Sequence, residues 1–214
     1  KCTNYVYFII LKKNLFIAQD IFEKLIVYIF VFMCGRFNFS NHSKVKGTLK
    51  AGVTPCFNIA PSSSIAVLNE DMKCLKLNWG FRPSWMKQGQ IINAKRETVR
   101  AKSTFKGFRK CYVPINGWYE WLETDEGKKP YYFHSEYDTI YVKSIMKDNI
   151  VILLTKDATE SISHIHKRMP LLNDEPIFTS WNLKQANIKI NYYEVSREVN
   201  YVGSNNSKLI NPIF

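Results

Sequence analysis

Glycine and proline are scarce, nine and eight in 214 residues. This excludes collagen-like and Pro/Gly-rich low-complexity chains. No segment repeats at a fixed period, which excludes solenoids and propellers. The five cysteines, Cys2, Cys34, Cys56, Cys74 and Cys111, are odd in number, widely spaced and form no CxxC. Neither a disulfide framework nor a zinc signature fits that pattern, and a reducing compartment is the default expectation. Of the four histidines, His42, His134, His164 and His166, only the last two are close together. No Cys or carboxylate stands near them at metal-ligand spacing, so no metal and no cofactor is expected. Long hydrophobic runs are missing too. Leu25–Phe32, before Met33, falls far short of the roughly 20 residues that span a bilayer, so no membrane anchor is expected.

What is present is a foldable, basic chain. With 46% apolar and 14% aromatic residues the sequence can bury a sizeable core in one domain. Thirty Lys and Arg against eighteen Asp and Glu give a formal charge of +12. Such a surface attracts polyanions, nucleic acid first. The plainer reading is an AT-rich coding sequence, because Lys, Asn and Ile are all abundant.

Residues 1–33 read as a leader outside the domain, either removed or an over-extension upstream of a true start at Met33. Without them, residues 34–214 keep 26 cations and 16 anions, a charge of +10. The basic character therefore belongs to the domain.

Within 34–214 short strands dominate. Leu75, Leu77 and Trp79 alternate with Lys76 and Asn78, the pattern of a half-buried strand. Cys111–Pro114 and Gly117–Trp121 are β-rich. Asp125-Glu126-Gly127 predicts a turn that makes 117–134 a hairpin. Thr139–Ser144 continues as strand, Ile150–Thr155 reads as a buried one, and Tyr192–Ser196 returns to strand. Helices are predicted at three places: from the capping-box spacing of Asp157 and Glu160 toward His164, from Ser180 through Leu183 to Asn187, and more weakly over 41–49. The expected fold is α+β, a strand-rich curved sheet or distorted barrel with a few short helices.

Five segments carry chemistry. In Met33-Cys34-Gly35-Arg36, removal of Met33 leaves Cys34 with an α-amine and a thiol on adjacent carbons. That pair condenses with an aldehyde to an imine and then closes a thiazolidine. The plainer reading of Cys34 is a small buried residue. In Ile92–Thr98 an extended chain puts Asn93, Lys95 and Glu97 on one face, with hydrogen bonds from Asn93 and a phosphate-binding charge from Lys95. In Gly117–Trp121, Glu120 stands between large aromatics. Partial burial there raises a carboxyl pKa toward neutrality. In Ile165–Pro170, His166 suits a proton shuttle and Arg168 a bidentate grip on phosphate. In Trp79–Trp85, aromatic and basic residues interleave as in single-strand binding surfaces. Each segment alone also fits a solvated edge, a loop or core packing.

Taken in order, these motifs resemble the SRAP domain, named for SOS-response-associated peptidases. The resemblance rests on MCGRF at 33–37, FNIAP at 57–61, WGFRPSW at 79–85, INAKRET at 92–98, CYVPINGWYEW at 111–121, IHKRMP at 165–170 and VSREVN at 195–200. It implies a sensor that captures abasic sites in single-stranded DNA as a thiazolidine through an N-terminal Cys34. It further implies Asn93 positioning that cysteine, Glu120 and His166 moving protons, and Arg36, Trp85, Lys95 and Arg168 lining the DNA path. A monomer is expected, in the nucleus of a eukaryote or the cytoplasm of a bacterium. Replication-fork proteins are conceivable partners that the sequence does not identify. Two other function classes compete: an autoprocessing cysteine peptidase cutting before Cys34, and a non-covalent reader of modified bases. The chain departs from the family pattern at Lys95, usually Arg, at Lys143-Ser144-Ile145-Met146, usually Ala-Gly-Leu-Trp, and at Lys167.

Overall fold

The computed structural model describes residues 35–179 and 182–213. Thirteen strands follow one another: β1 (Phe37–Phe39), β2 (Cys56–Ile59), β3 (Ser64–Leu68), β4 (Cys74–Trp79), β5 (Asn93–Lys95), β6 (Arg109–Ile115) and β7 (Gly117–Thr124). Then come β8 (Gly127–Ser135), β9 (Ile140–Lys147), β10 (Ile150–Asp157), β11 (Arg168–Pro170), β12 (Leu172–Asn173) and β13 (Ile190–Glu194). One sheet is antiparallel in the order β13-β8-β7-β1-β2. The other runs β11-β10-β4-β3-β6-β9-β12, with β5 beside β10 and a further β9–β10 pairing.

The second sheet curls strongly without becoming a closed barrel. The circuit through β10, β4, β3, β6 and β9 is thinly stitched. β3 and β6 meet only at Leu68 and Tyr112, and β4 and β10 only at Asn78–Ile150 and Trp79–Val151. Longer pairings hold the rest, such as the antiparallel β6–β9 pair from Arg109–Met146 to Ile115–Ile140, which joins strands separated in the chain by the β7–β8 hairpin.

The main core lies between the sheets, where Phe37, Trp79, Val113, Trp118, Phe133, Val142 and Met169 are all buried. Trp118 stacks on Phe133 at 5.1 Å, and Phe37 tilts against Trp79 at 5.1 Å. Ile150–Thr155, read from sequence as a buried strand, forms β10, with Val151 to Thr155 inaccessible. The 117–134 hairpin forms in the expected place as β7 and β8, turning at Asp125-Glu126. A smaller cluster, Ile91, Ala94, Val99, Ile145, Ile152, Leu154 and Leu171, packs against the outer side of β10 and the loop after β5.

The helix expectations need correction. Among the described residues, helical structure is confined to three 3-10 turns, Ser103–Phe105, Arg197–Asn200 and Ser207–Ile210. Asp157 does not cap a helix. β10 continues through it, and its carboxylate accepts from Arg168 Nη1 at 2.6 Å. Residues 160–165 form successive turns, with Ser163 N–H bonding Thr159 O and His166 N–H bonding Ile162 O. Residues 41–49 form no helix either: turns and a bend begin at 43, and Gly47 takes φ +85°. Ser180 lies outside the described residues, and 182–189 contain no helix.

Candidate functional site

An open cleft of about 840 Å³ runs between the β7–β8 hairpin, the 163–168 loop and the loop before β5. Its walls include Gly35, Arg36, Gln90, Glu120, Trp121, His166, Lys167 and Arg168. The segment after Cys34 is carried there by the sheet. Phe37 pairs with Trp118, and Arg36 O accepts the Tyr119 N–H at 3.0 Å, which brings Gly35 toward Glu120. Cys34 itself, with 1–33, lies outside the described residues.

Glu120 is only 4% exposed. Its Oε1 lies 3.7 Å from His166 Nδ1. A carboxylate and an imidazole at this distance, largely screened from water, can exchange a proton with each other and with a bound substrate. The backbone of Arg168 adds a second control on the ring. Its carbonyl sits 2.9 Å from Nδ1 and its N–H 3.3 Å. The carbonyl bond needs Nδ1 protonated and the N–H bond needs it bare, so the imidazole's proton position and this turn are linked.

Arg36 enters the cleft half-buried. Its Nη1 donates to Asn58 Oδ1 at 2.8 Å and to Val199 O at 2.9 Å, and its guanidinium lies 5.8 Å from the centre of the Trp121 ring. Burial lowers its pKa and the Tyr119 phenol works against that. The Trp121 indole donates to Asn200 Oδ1 at 2.7 Å. Asn58, 3% exposed, also donates through Nδ2 to the carbonyls of Val199, Tyr201 and Ser204. The FNIAP and VSREVN motifs thus meet as one brace behind the cleft, a role that sequence reading did not assign to Asn58, Trp121 or Asn200.

Arg168 is placed at the cleft, but its donors are engaged. The guanidinium forms a two-pronged bond to Glu97, Nη1–Oε1 at 3.3 Å and Nη2–Oε2 at 3.0 Å, besides Asp157 and the Thr155 carbonyl at 2.8 Å. The residue is 9% exposed, so it ties the strand ends of β10 and β11 to the loop after β5. Glu97 does not share an extended face with Asn93 and Lys95. β5 stops at Lys95, and Thr98 and Val99 N–H turn back onto Lys95 O. Although burial opposes it, the bond to Arg168 draws the Glu97 carboxyl below its usual pKa.

The remaining expected residues lie beside the cleft rather than in its wall. Asn93 is buried in β5, next to Leu153 of β10. Lys95 is exposed at the end of that strand. Trp85 is 61% exposed on the 81–91 loop, which closes through the Phe81–Ile91 bridge and whose Gly89 and Gln90 line the cleft. That loop starts at Gly80, φ +95°, where a Cβ would stand 2.9 Å from Gln90 Oε1 and Ile92 Cγ2. A side chain there meets both backbone strain and collision. Among the described residues, no group of three His, Cys, Asp or Glu is disposed to hold a metal ion, and no helix is long and apolar enough to cross a membrane.

Comparison with known proteins places the chain among relatives. The family model described as SOS response associated peptidase (SRAP) matches residues 33–202. The abasic site processing protein HMCES of Gallus gallus is 25% identical over 56% of this chain and 51% of that protein. An abasic site processing protein of Saccharomyces cerevisiae is 20% identical over 73% of this chain and 52% of its own length. The chain therefore spans about half the length of these curated relatives. Among solved structures, a Bacteroides thetaiotaomicron protein superposes with a TM-score of 0.68 at 16% identity, covering 85% of this chain and all of its own. A phage-related protein of Bordetella bronchiseptica gives 0.56 at 21% identity, covering 76% and 94%. These two likenesses support the fold.

Proposed function

The chain belongs to the SRAP family, and we propose that it captures abasic sites in single-stranded DNA as a covalent adduct of Cys34, exposed at the N-terminus by removal of Met33. The observation that carries this reading is the Glu120–His166 pair, 3.7 Å apart, in a cleft that Gly35 also lines. The relatives described as abasic site processing proteins supply the substrate class.

The chemistry balances with one water lost. The Cys34 α-amine attacks the aldehyde of the ring-opened sugar, a C=N bond forms and water leaves. The thiol then adds to that carbon, its proton passes to nitrogen, and the thiazolidine closes. Glu120 takes the two protons of the amine in turn and passes both to the carbonyl oxygen, the first making the hydroxyl and the second letting it leave as water. His166 protonates the sugar ring oxygen as it opens, recovers a proton from the anomeric hydroxyl, and relays the thiol proton to the imine nitrogen. Asn93 acts from behind as a positioning residue. Arg36, Lys95 and the exposed Trp85 supply charge and a stacking face along the strand, while Arg168, held by Glu97 and Asp157, positions the loop that carries His166. Two buried thiols do not compete: burial raises the pKa of Cys74 and pushes that of Cys111 well up.

The test is a denaturing gel with an end-labelled abasic single strand and protein beginning at Cys34. The expected result is a slow band that persists in denaturant and disappears in Cys34→Ala. A Cys34→Ala protein that still gives the adduct, or wild type that binds the strand without one, overturns the proposal and leaves a non-covalent reader.

A further inference from the structure

From Thr98 to Tyr119 the chain carries five cations, Arg100, Lys102, Lys106, Arg109 and Lys110, and no Asp or Glu. The mechanism above uses none of them. The first half of this segment leaves β5, makes the 3-10 turn Ser103–Phe105 and joins β6, folding around a second cavity of about 440 Å³. The floor is apolar: Val99 and Ile145 are buried, and Phe105, Phe108 and Leu183 are half-buried around them. The rim is cationic, with Arg100, Lys102 and Lys106 exposed and Lys110 half-exposed. One acidic side chain reaches the rim: Glu70 pairs with Lys110 at 3.3 Å.

The walls of this cavity are held rigidly. Phe108 stacks edge-on against Phe105 at 5.9 Å and tilts against Phe81 at 5.8 Å. Arg96 Nη1 bonds Leu183 O at 3.1 Å, which fixes the far wall. The pocket is walled by a packed cluster yet open to solvent, so it can receive an apolar group.

We propose that this pocket docks an acidic peptide segment of a protein partner, with one large apolar side chain seated on Ile145 and Val99 and flanking carboxylates over the Arg100, Lys102 and Lys106 rim. Charge complementarity selects the acidic flank. The floor selects the anchor. It presents hydrocarbon and aromatic carbon, so a leucine or phenylalanine is satisfied there. A nucleobase seated there would set part of its polar edge against that hydrocarbon floor. The site is independent of the abasic-site reading, since it shares no lining residue with the cleft.

The experiment uses the full chain and a short fluorescent peptide rich in Glu and Asp with one central Phe, read by anisotropy. The comparison peptide replaces that Phe by Ser. Two variants are made at exposed positions: the double charge reversal Lys102→Glu with Lys106→Glu, and Ala101→Trp, which fills the mouth without removing a core contact. The expected result is binding of the Phe peptide, weakened about tenfold or more by each variant and by the Phe-to-Ser change. Adduct formation with abasic DNA stays at the wild-type level in both variants. Equal binding of the two peptides, or binding unchanged by either variant, overturns the proposal. So does capture of an undamaged oligonucleotide or of anionic phosphatidylserine vesicles that Ala101→Trp abolishes while the peptide is ignored. Loss of DNA adduct in wild type bears on the Cys34 chemistry alone, because peptide binding is read separately.

Discussion

Replacing Asn58 by Ala removes the brace behind the cleft, and the cost follows from its partners. Asn58 Oδ1 accepts a charge-assisted bond from Arg36 at 2.8 Å, and Nδ2 donates to three carbonyls at 3.1–3.2 Å. Two amide protons serve three acceptors, so this counts as two net bonds of about 1 kcal/mol each. A bond to a charged group contributes about 1.5–3 kcal/mol when it is shielded. Arg36 keeps its bond to Val199 O, and the Tyr201 and Ser204 carbonyls gain water, which offsets part of the loss. The net expectation is about 3 kcal/mol. With a urea slope of about 2 kcal/mol/M, the unfolding midpoint drops by about 1.5 M. Tryptophan fluorescence against urea reads this directly. Asn58→Asp separates the brace from simple charge pairing. A carboxylate keeps Arg36 but turns acceptors toward three carbonyls, so it is expected to be no more stable than Asn58→Ala. A midpoint shift below about 0.3 M for Ala, or an Asp variant at the wild-type midpoint, refutes the reasoning.

Other consequences are as direct. A Cβ on Gly117 would collide with Phe133 O and Tyr132 Oη, so Gly117→Ala must push β7 away from β8. A loss of about 3 kcal/mol lowers the melting temperature by about 6–12 °C, read by circular dichroism. Burial pushes the Tyr112 phenol up to about 12 and raises those of Tyr119 and Tyr132 further still. Unfolded tyrosines lose their protons above about 10 while these keep theirs, so the unfolded state binds fewer protons and stability falls as pH rises between about 10 and 12. Urea midpoints across that window, with phenolate absorbance, check the slope; a flat profile contradicts it. Glu120→Gln keeps the side chain's shape but removes the proton acceptor, and adduct formation is expected to slow by about a hundredfold with little change in DNA binding.

Much of the sheet was legible because its signals are local. The alternation in Leu75–Trp79, the apolar run Ile150–Thr155 and the Asp-Glu-Gly turn each lie within one element, and each forms where expected. The helices failed where a tertiary partner outweighed a local preference. Asp157 has capping-box spacing, yet Arg168, arriving on β11, takes its carboxylate and draws the strand onward. The same arginine shows why a residue's role is harder to read than its position. IHKRMP places Arg168 at the cleft, but Glu97 lies 71 residues away and claims the fork. Asn58 was opaque for a similar reason: its carbonyl partners stand more than 140 residues further along the chain. Glu120 was singled out as an acid among aromatics and His166 as an imidazole suited to proton transfer, with the family resemblance pointing to both, and the fold brings them to 3.7 Å.

The central claim is that Cys34, at a free N-terminus, reacts beside the Glu120–His166 pair. The most direct measurement is the intact mass of natively expressed protein before and after incubation with an abasic single strand. The account predicts a chain beginning at Cys34 that gains the mass of the strand less one water. A chain beginning at Cys34 that binds the strand and gains no mass contradicts it.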